Sequence, residues 1–325
     1  MLTREKMEQH QIGFYVVVLI AAAITGLLAK RAVHLLDHSA LISVIIAVLM
    51  YGMFTQIPFT SIRQSFHNRR FIAALLVANY VAVPLVVWLL SLLLPQETPL
   101  LLGVYLVLLT PCIDYVIVFT YLGRGNEKLM LLSTPILFVT QMLLLPLYLW
   151  LFLGSEAMRI ADPLPFIEAF LIVIVVPLLV AIVVQWLSRR YQPFQSWLDC
   201  SAWLPVPFMA LTLFVIVSSQ IGKLTVHWNV ILTVIPVYIA FMLIMPWIAR
   251  GIASWFRLDI ASGRALIFSS GTRNSLVVLP LALALPGEWS VIVASIIVTQ
   301  TIVELVGELI YVRVVPAWIL RDRES

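Results

Sequence analysis

Five side chains able to carry charge, protons or soft ligands stand inside otherwise apolar stretches: Cys112, Asp114, Arg273, Glu304 and Glu308. A charge at the centre of a bilayer costs at least about 2.5–3.5 kcal/mol on insertion scales, so each needs a partner or a use. Asp114 belongs to Leu109-Thr110-Pro111-Cys112-Ile113-Asp114-Tyr115, and Arg273 to Ser269-Ser270-Gly271-Thr272-Arg273-Asn274-Ser275. Two readings of that pair stand side by side. Either it is a buried ion pair that serves packing alone, or Arg273 is a fixed cation and Asp114 a carboxyl that gains a proton when substrate leaves. The thiol of Cys112, directly after a proline, either contacts a soft ligand or is a small apolar residue. Glu304 and Glu308 are four residues apart and share a helix face. The deeper, Glu304, reads as a proton or substrate group, and Glu308 as reaching headgroups or Arg313. Gln141 and Gln300 read as interhelical hydrogen-bonding groups.

The elements that must position these groups are membrane helices. Of 325 residues 62% are hydrophobic and 11% charged, and the mean hydropathy is +1.05, whereas a soluble domain carries roughly a quarter charged residues. Apolar runs long enough to cross about 30 Å of hydrocarbon recur near 12–29, 40–58, 71–94, 100–122, 129–153, 165–188, 201–220, 228–249, 264–285 and 289–312. The first run lacks a cleavage pattern and reads as a retained helix. With ten spans, fifteen of the 20 Lys and Arg residues fall on the side of both termini, four on the other, and Arg273 within a span. That skew predicts N- and C-termini in the cytoplasm and a cell (plasma or inner) membrane location. The net charge of +4 sits in connectors without a basic tract, so nucleic acid is not an expected partner. His10, His34, His38, His67 and His227 fall at helix ends or in loops, and Cys112 and Cys200 have no CxxC spacing; no metal site is expected.

The halves repeat weakly at an offset of about 160 residues. Val139-Thr140-Gln141 recurs as Val298-Thr299-Gln300, and Pro84 answers Pro246. Five spans per half force the second half to enter the membrane from the opposite side, the inverted-repeat plan of many secondary transporters. Repeat one covers about 12–153 and repeat two about 165–312, within one membrane domain of 1–325. Spans four and nine are both interrupted: at an offset of 160, Thr110 meets Ser270, Pro111 meets Gly271 and Asp114 meets Asn274. Proline removes a helical hydrogen bond and glycine tolerates unwound backbone. Backbone freed at membrane depth is tolerable only where protein or a wet cavity satisfies it. Breaks at Pro111 and Gly271 therefore predict a midplane site, with Thr110, Cys112, Thr272, Arg273 and Asn274 binding substrate and Asp114 and Glu304 carrying protons.

At Thr110-Pro111-Cys112, followed by Tyr121-Leu122-Gly123-Arg124-Gly125-Asn126, the chain resembles the arsenite efflux permeases (arsenic resistance proteins) of the bile acid:sodium symporter superfamily. The likeness extends through the Asn274 region and Val303-Glu304-Leu305 over essentially the whole chain. It implies an all-α membrane fold of ten helices in core and panel domains, with crossed, broken helices four and nine, and a family thiol carried by Cys112. Two departures stand out. The arsenite permeases have a Glu after the Asn of helix nine, where this chain has Ser275-Leu276-Val277. The sodium-coupled members have Glu-Thr-Gly-x-Gln-Asn where this chain has Ser269-Ser270-Gly271-Thr272-Arg273-Asn274. A permanent cation at the sodium position implies a proton gradient rather than sodium, because like charges repel strongly at low dielectric.

These readings predict a secondary transporter with no cofactor, its partners being the lipid bilayer and a small anionic or metalloid substrate. The expected reaction is proton-coupled efflux of arsenite, antimonite or a related anion. The alternative is a symporter of organic anions, bile-acid-like or carboxylate. An intramembrane enzyme would need paired catalytic groups, and the spans hold no His and one clear Asp, so no enzyme is expected.

Overall fold

The computed structural model describes residues 39–57, 68–113, 115–160, 168, 171–224 and 228–321, with scattered residues of 14–28. Asp114 and all five histidines lie outside the described residues. Among the described residues every regular element is helical. In chain order they are α1 (Ser39–Gln56), α2 (Arg69–Ser91), α3 (Thr98–Leu108), α4 (Val116–Leu122), α5 (Glu127–Gly154), α6 (Leu171–Ser188), α7 (Gln192–Ser201), α8 (Pro205–Leu224), α9 (Trp228–Trp255), α10 (Ile260–Gly271), α11 (Ser275–Leu283) and α12 (Glu288–Ile319).

Helices α2, α5, α6, α9 and α12 are each long and apolar enough to cross a membrane. Their outward residues include Leu143, Leu232 and Leu243, all more than 60% exposed, a surface that water would not tolerate and hydrocarbon does. The chain is a multi-pass membrane protein. Several expected boundaries move. The apolar run 201–220 starts a helix only at Pro205, because Ser201 closes the preceding α7 and a turn intervenes; proline at the first helical position needs no N–H partner. The run 289–312 continues to Ile319 through a π-helical turn, Val315–Ile319.

The chain divides into two compact units. The first comprises Met1–Thr60, Ala161–Trp228 and Leu279–Ser295. Within it α1 packs against α6 and α8, and α7 against α6. A helix leaves its last carbonyls without intrahelical partners. At the end of α1 they are collected by one buried amide: Gln185 Nε2 on α6 donates to the carbonyls of Phe54 (3.1 Å), Thr55 (3.1 Å) and Ile57 (2.9 Å).

The second unit comprises Ser61–Ile160, Asn229–Val278 and Ile296–Ser325. Helix α10 sits against α2, α4 and α5. Two prolines within spans each free a carbonyl four residues earlier. Pro84 in α2 frees Tyr80, whose carbonyl accepts a hydrogen bond from the Tyr148 hydroxyl of α5 at 2.6 Å. Pro246 in α9 frees Met242, whose carbonyl accepts from the Tyr311 hydroxyl of α12. A π-helical turn, Ala78–Ala82, precedes Pro84 and carries Asn79, and it changes which α2 residues face α10.

Replacing Gln185 by Leu takes the amide from the Thr55 and Ile57 carbonyls and leaves Phe54 only the Ile57 N–H at 3.2 Å, and replacing it by Glu removes the donor while keeping the shape. Both variants are expected to lose about 1–3 kcal/mol, read as a lower melting temperature of the purified protein. Gln185→Asn, with the same amide on a shorter arm, is expected to retain part of it.

Candidate functional site

The interrupted segments Leu109–Tyr115 and Thr272–Asn274 lie between helix halves: α3 and α4 flank the first, α10 and α11 the second. The two segments pair with each other through backbone. Cys112 N–H donates to the Thr272 carbonyl at 3.1 Å, and Asn274 N–H donates to the Thr110 carbonyl at 2.8 Å, forming an isolated antiparallel bridge between Pro111 and Arg273. The exchange is reciprocal: Thr110 stands to Asn274 as Thr272 stands to Cys112. It therefore matches Thr110 with Thr272 and Cys112 with Asn274, a spacing of 162 that also relates Pro84 to Pro246. This spacing lies two residues from the expected offset of about 160, which sets Pro111 opposite Gly271.

Side chains repeat the same symmetry. The Thr110 hydroxyl donates back to the Leu106 carbonyl (2.8 Å) and Thr272 to that of Phe268 (2.6 Å). Thr110 also reaches the Val107 carbonyl at 3.1 Å, the one that Pro111 leaves without an N–H. Both threonines thus close the C-terminal ends of α3 and α10, a structural task that accompanies the substrate role expected of them. Gly271 is the last residue of α10, and its glycine is required by close approach: a Cβ there would lie 2.6 Å from the Tyr311 ring.

Arg273 is fully buried. Its guanidinium faces the carbonyl ends of both preceding half-helices, where a positive charge is favoured. Nη2 donates to Asn79 Oδ1 at 2.8 Å and to the Ser269 carbonyl at 2.6 Å, and Nη1 lies 3.4 Å from the Leu108 carbonyl. Asn79 is fixed in turn by donating to the Leu75 carbonyl and Ser269 Oγ, both at 3.1 Å. The face of Phe241 lies 5.7 Å from the guanidinium carbon. Among the described residues no carboxylate lies within ion-pair distance of the guanidinium.

Glu304 of α12, also buried, holds the other side of the bridge. Its Oε2 accepts the Arg273 N–H at 2.8 Å and the amide of Gln300, one turn earlier on the same helix. Gln300 therefore serves its own helix, not the interhelical contact expected of it. The Tyr115 hydroxyl lies 2.6 Å from Glu304 Oε1 and 3.0 Å from the Arg273 carbonyl. One phenolic hydrogen faces two acceptors, so the group serves either protonation state of Glu304. With Glu304 ionised, Tyr115 donates to it; with Glu304 protonated, the carboxyl donates to Tyr115, and Tyr115 to the carbonyl. Glu308 departs from expectation: it is fully buried, 3.0 Å from the Thr272 hydroxyl, and does not reach headgroups.

Cys112, Thr110, Thr272, Arg273, Asn274 and Glu304 are all buried in this one unit, and the structure brings them together around the bridge. Asn274 caps the next half-helix, its Oδ1 accepting Val277 N–H at 3.2 Å. Several buried polar atoms at the crossing have no hydrogen-bond partner among the described residues: Arg273 Nε, Asn274 Nδ2, Ser275 Oγ and Glu308 Oε2. Such atoms are uncommon in proteins and suit a polar ligand. Sequence reasoning missed Asn79, Ser269 as a guanidinium acceptor, and Tyr115. The π-turn hid the first, a carbonyl has no side-chain signature, and the third stood in the quoted motif without a role.

Glu304→Gln can keep its oxygen toward the Arg273 N–H and Gln300 and give one amide hydrogen to the Tyr115 hydroxyl, but its second hydrogen has no acceptor there and the negative charge is lost. A loss of about 1–3 kcal/mol is expected, visible as a lower melting temperature than that of Glu308→Gln, which keeps an oxygen for Thr272.

The profile of the Sodium Bile acid symporter family matches residues 43–227, more than half of the chain and the part that contains α1 to α8. No curated protein matches the chain. With its apolar spans and its broken helices paired through backbone, the chain belongs to the Sodium Bile acid symporter family, whose members are membrane transporters rather than enzymes.

Proposed function

We propose that this chain is a proton-coupled secondary transporter that exports arsenite, antimonite or a related small anion across the plasma membrane. The observation that carries the reading is the seat of Arg273. Its guanidinium donates to Asn79 Oδ1 and the Ser269 carbonyl, oxygen ligands of the kind a bare sodium ion takes. A tethered cation there repels a free one, so the driving ion acts elsewhere. Glu304 is the group that supports a proton, because Tyr115 accommodates both of its states. One residue links the two sites: the peptide N–H of Arg273 is bound by Glu304 and its side chain offers Nε to an anion. Cys112, in the bridge itself, supplies the soft contact for a metalloid, and Thr110, Thr272 and Asn274 line the same crossing. Asp114 is a second proton-carrying group in this reading.

Ten helices in two inverted repeats, about 12–153 and 165–312, with both termini cytoplasmic, complete the proposal. The reciprocal exchange at a spacing of 162 supports the repeat, and the skew of basic residues supports the orientation. The division into units supports core and panel domains: spans one, two, six and seven contribute to the first unit, and three, four, five and eight to the second. Arg264 contributes less to the skew than its charge suggests. It is buried in α10 and donates to the Leu320 carbonyl at 3.0 and 2.7 Å, so it is a structural cation and not a loop one.

Inverted vesicles given a proton gradient should accumulate arsenite or antimonite, with no response to sodium. Cys112→Ser and Arg273→Gln should abolish accumulation. Asn79→Asp places a carboxylate against the guanidinium and should raise KM roughly tenfold or more. The match to the Sodium Bile acid symporter family favours a second reading, symport of an organic anion. Sodium-stimulated uptake of a bile-acid-like anion, with no metalloid transport, would establish that reading and overturn the first.

A further inference from the structure

At the far end of the second unit a cavity of about 630 Å³ opens where α9 and α12 both end. Its lining includes Arg250, Arg257, Arg321, Asp259 and Trp318. Asp259 is engaged in capping α10, its Oδ1 accepting Ser262 N–H at 2.8 Å and its Oδ2 the Ser262 hydroxyl at 2.7 Å, and its single charge offsets at most one of the three arginines. Among the described residues none of the three arginines lies within ion-pair distance of a carboxylate. The cavity's surroundings are built and not incidental. Arg264 grips the Leu320 carbonyl and the Arg124 carbonyl (3.2 Å), which holds the C-terminal turn against α10, and Gly263 admits the Leu320 side chain, 2.9 Å from where a Cβ would stand. Arg257 adopts φ +53°, a conformation that costs an ordinary residue energy and is kept here at the rim.

The apolar setting says which anion fits. Trp247, Trp255 and Trp318 are 57%, 75% and 73% exposed around the ends of the same two spans, the position in which indole rings sit at the level of lipid headgroups. Arg250 stacks over the Trp247 ring at 5.9 Å, which aims its stem along the membrane interface. Basic pockets between membrane helices at this depth suit phosphate-bearing headgroups, and guanidinium groups pair with phosphate through two hydrogen bonds. We infer that this cavity binds the headgroup of an anionic phospholipid, with Arg250, Arg257 and Arg321 on its phosphate and Trp318 along its glycerol end. The site is distinct from the helix crossing and does not depend on which substrate is carried.

The test uses the purified full chain in nanodiscs of equal phosphatidylcholine and phosphatidylglycerol, followed by native mass spectrometry of the lipid retained. Phosphatidylglycerol should be enriched, and each of Arg250→Gln and Arg257→Gln should lower the enrichment roughly five-fold. Arg189→Gln with Arg190→Gln, a larger loss of charge at exposed positions of the first unit, should leave it unchanged. Melting temperatures verify that all variants are folded. No enrichment in the parent, or equal losses in the control pair, overturns the inference. So does binding of inorganic phosphate that depends on Arg250 and Arg257 without enrichment of the lipid, which would assign the cavity to a soluble anion.

Discussion

A backbone N–H or C=O left unpaired in hydrocarbon costs several kcal/mol, and everything at this site follows from how that cost is avoided. The two interrupted segments satisfy each other: each gives one N–H and takes one, around Pro111 and Arg273. Neither break is tolerable without the other. The exchange also fixes side chains that have no other reason to meet, placing the Cys112 and Asn274 peptides on one crossing and bringing the ends of α3 and α10 to the same guanidinium.

Charge at the crossing is arranged along a single residue. The side chain of Arg273 is solvated by carbonyl and amide oxygens, a substitute for water, and among the described residues no carboxylate stands against it. Its own peptide is held by a carboxyl group from α12. An ion pair placed side chain to side chain would have neutralised both groups. Here the two groups are instead separated by the length of an arginine side chain.

The breaks and the buried charges were legible because proline, glycine and ionisable residues contrast with apolar runs. Their register was not. In apolar sequence a three-residue match such as Val139-Thr140-Gln141 fits several offsets, whereas the pairing of the two breaks is visible only in the backbone exchange between them. Asn79 is a lone polar residue in an apolar run, and the π-turn that carries it has no signature in the sequence. Glu308 reads as peripheral by its distance from the span centre, and Arg264 as one of the basic residues at a span end. Both are buried, since their partners are a distant carbonyl and a hydroxyl that no local pattern announces. Gly271 was expected for the right position and the wrong cause, ring contact having taken the place of backbone freedom.

The two proline-freed carbonyls carry a lesson about descent. At Tyr80 and Met242 a phenol from another helix does what the missing backbone N–H would have done. Pro84 with Tyr148, and Pro246 with Tyr311, therefore act as single units split across more than sixty residues of chain. In a relative that carries alanine at either proline, the helix supplies its own donor and the tyrosine is released to vary. Columns 64 or 65 positions apart in an alignment of such chains would change together, the link between them being a backbone carbonyl.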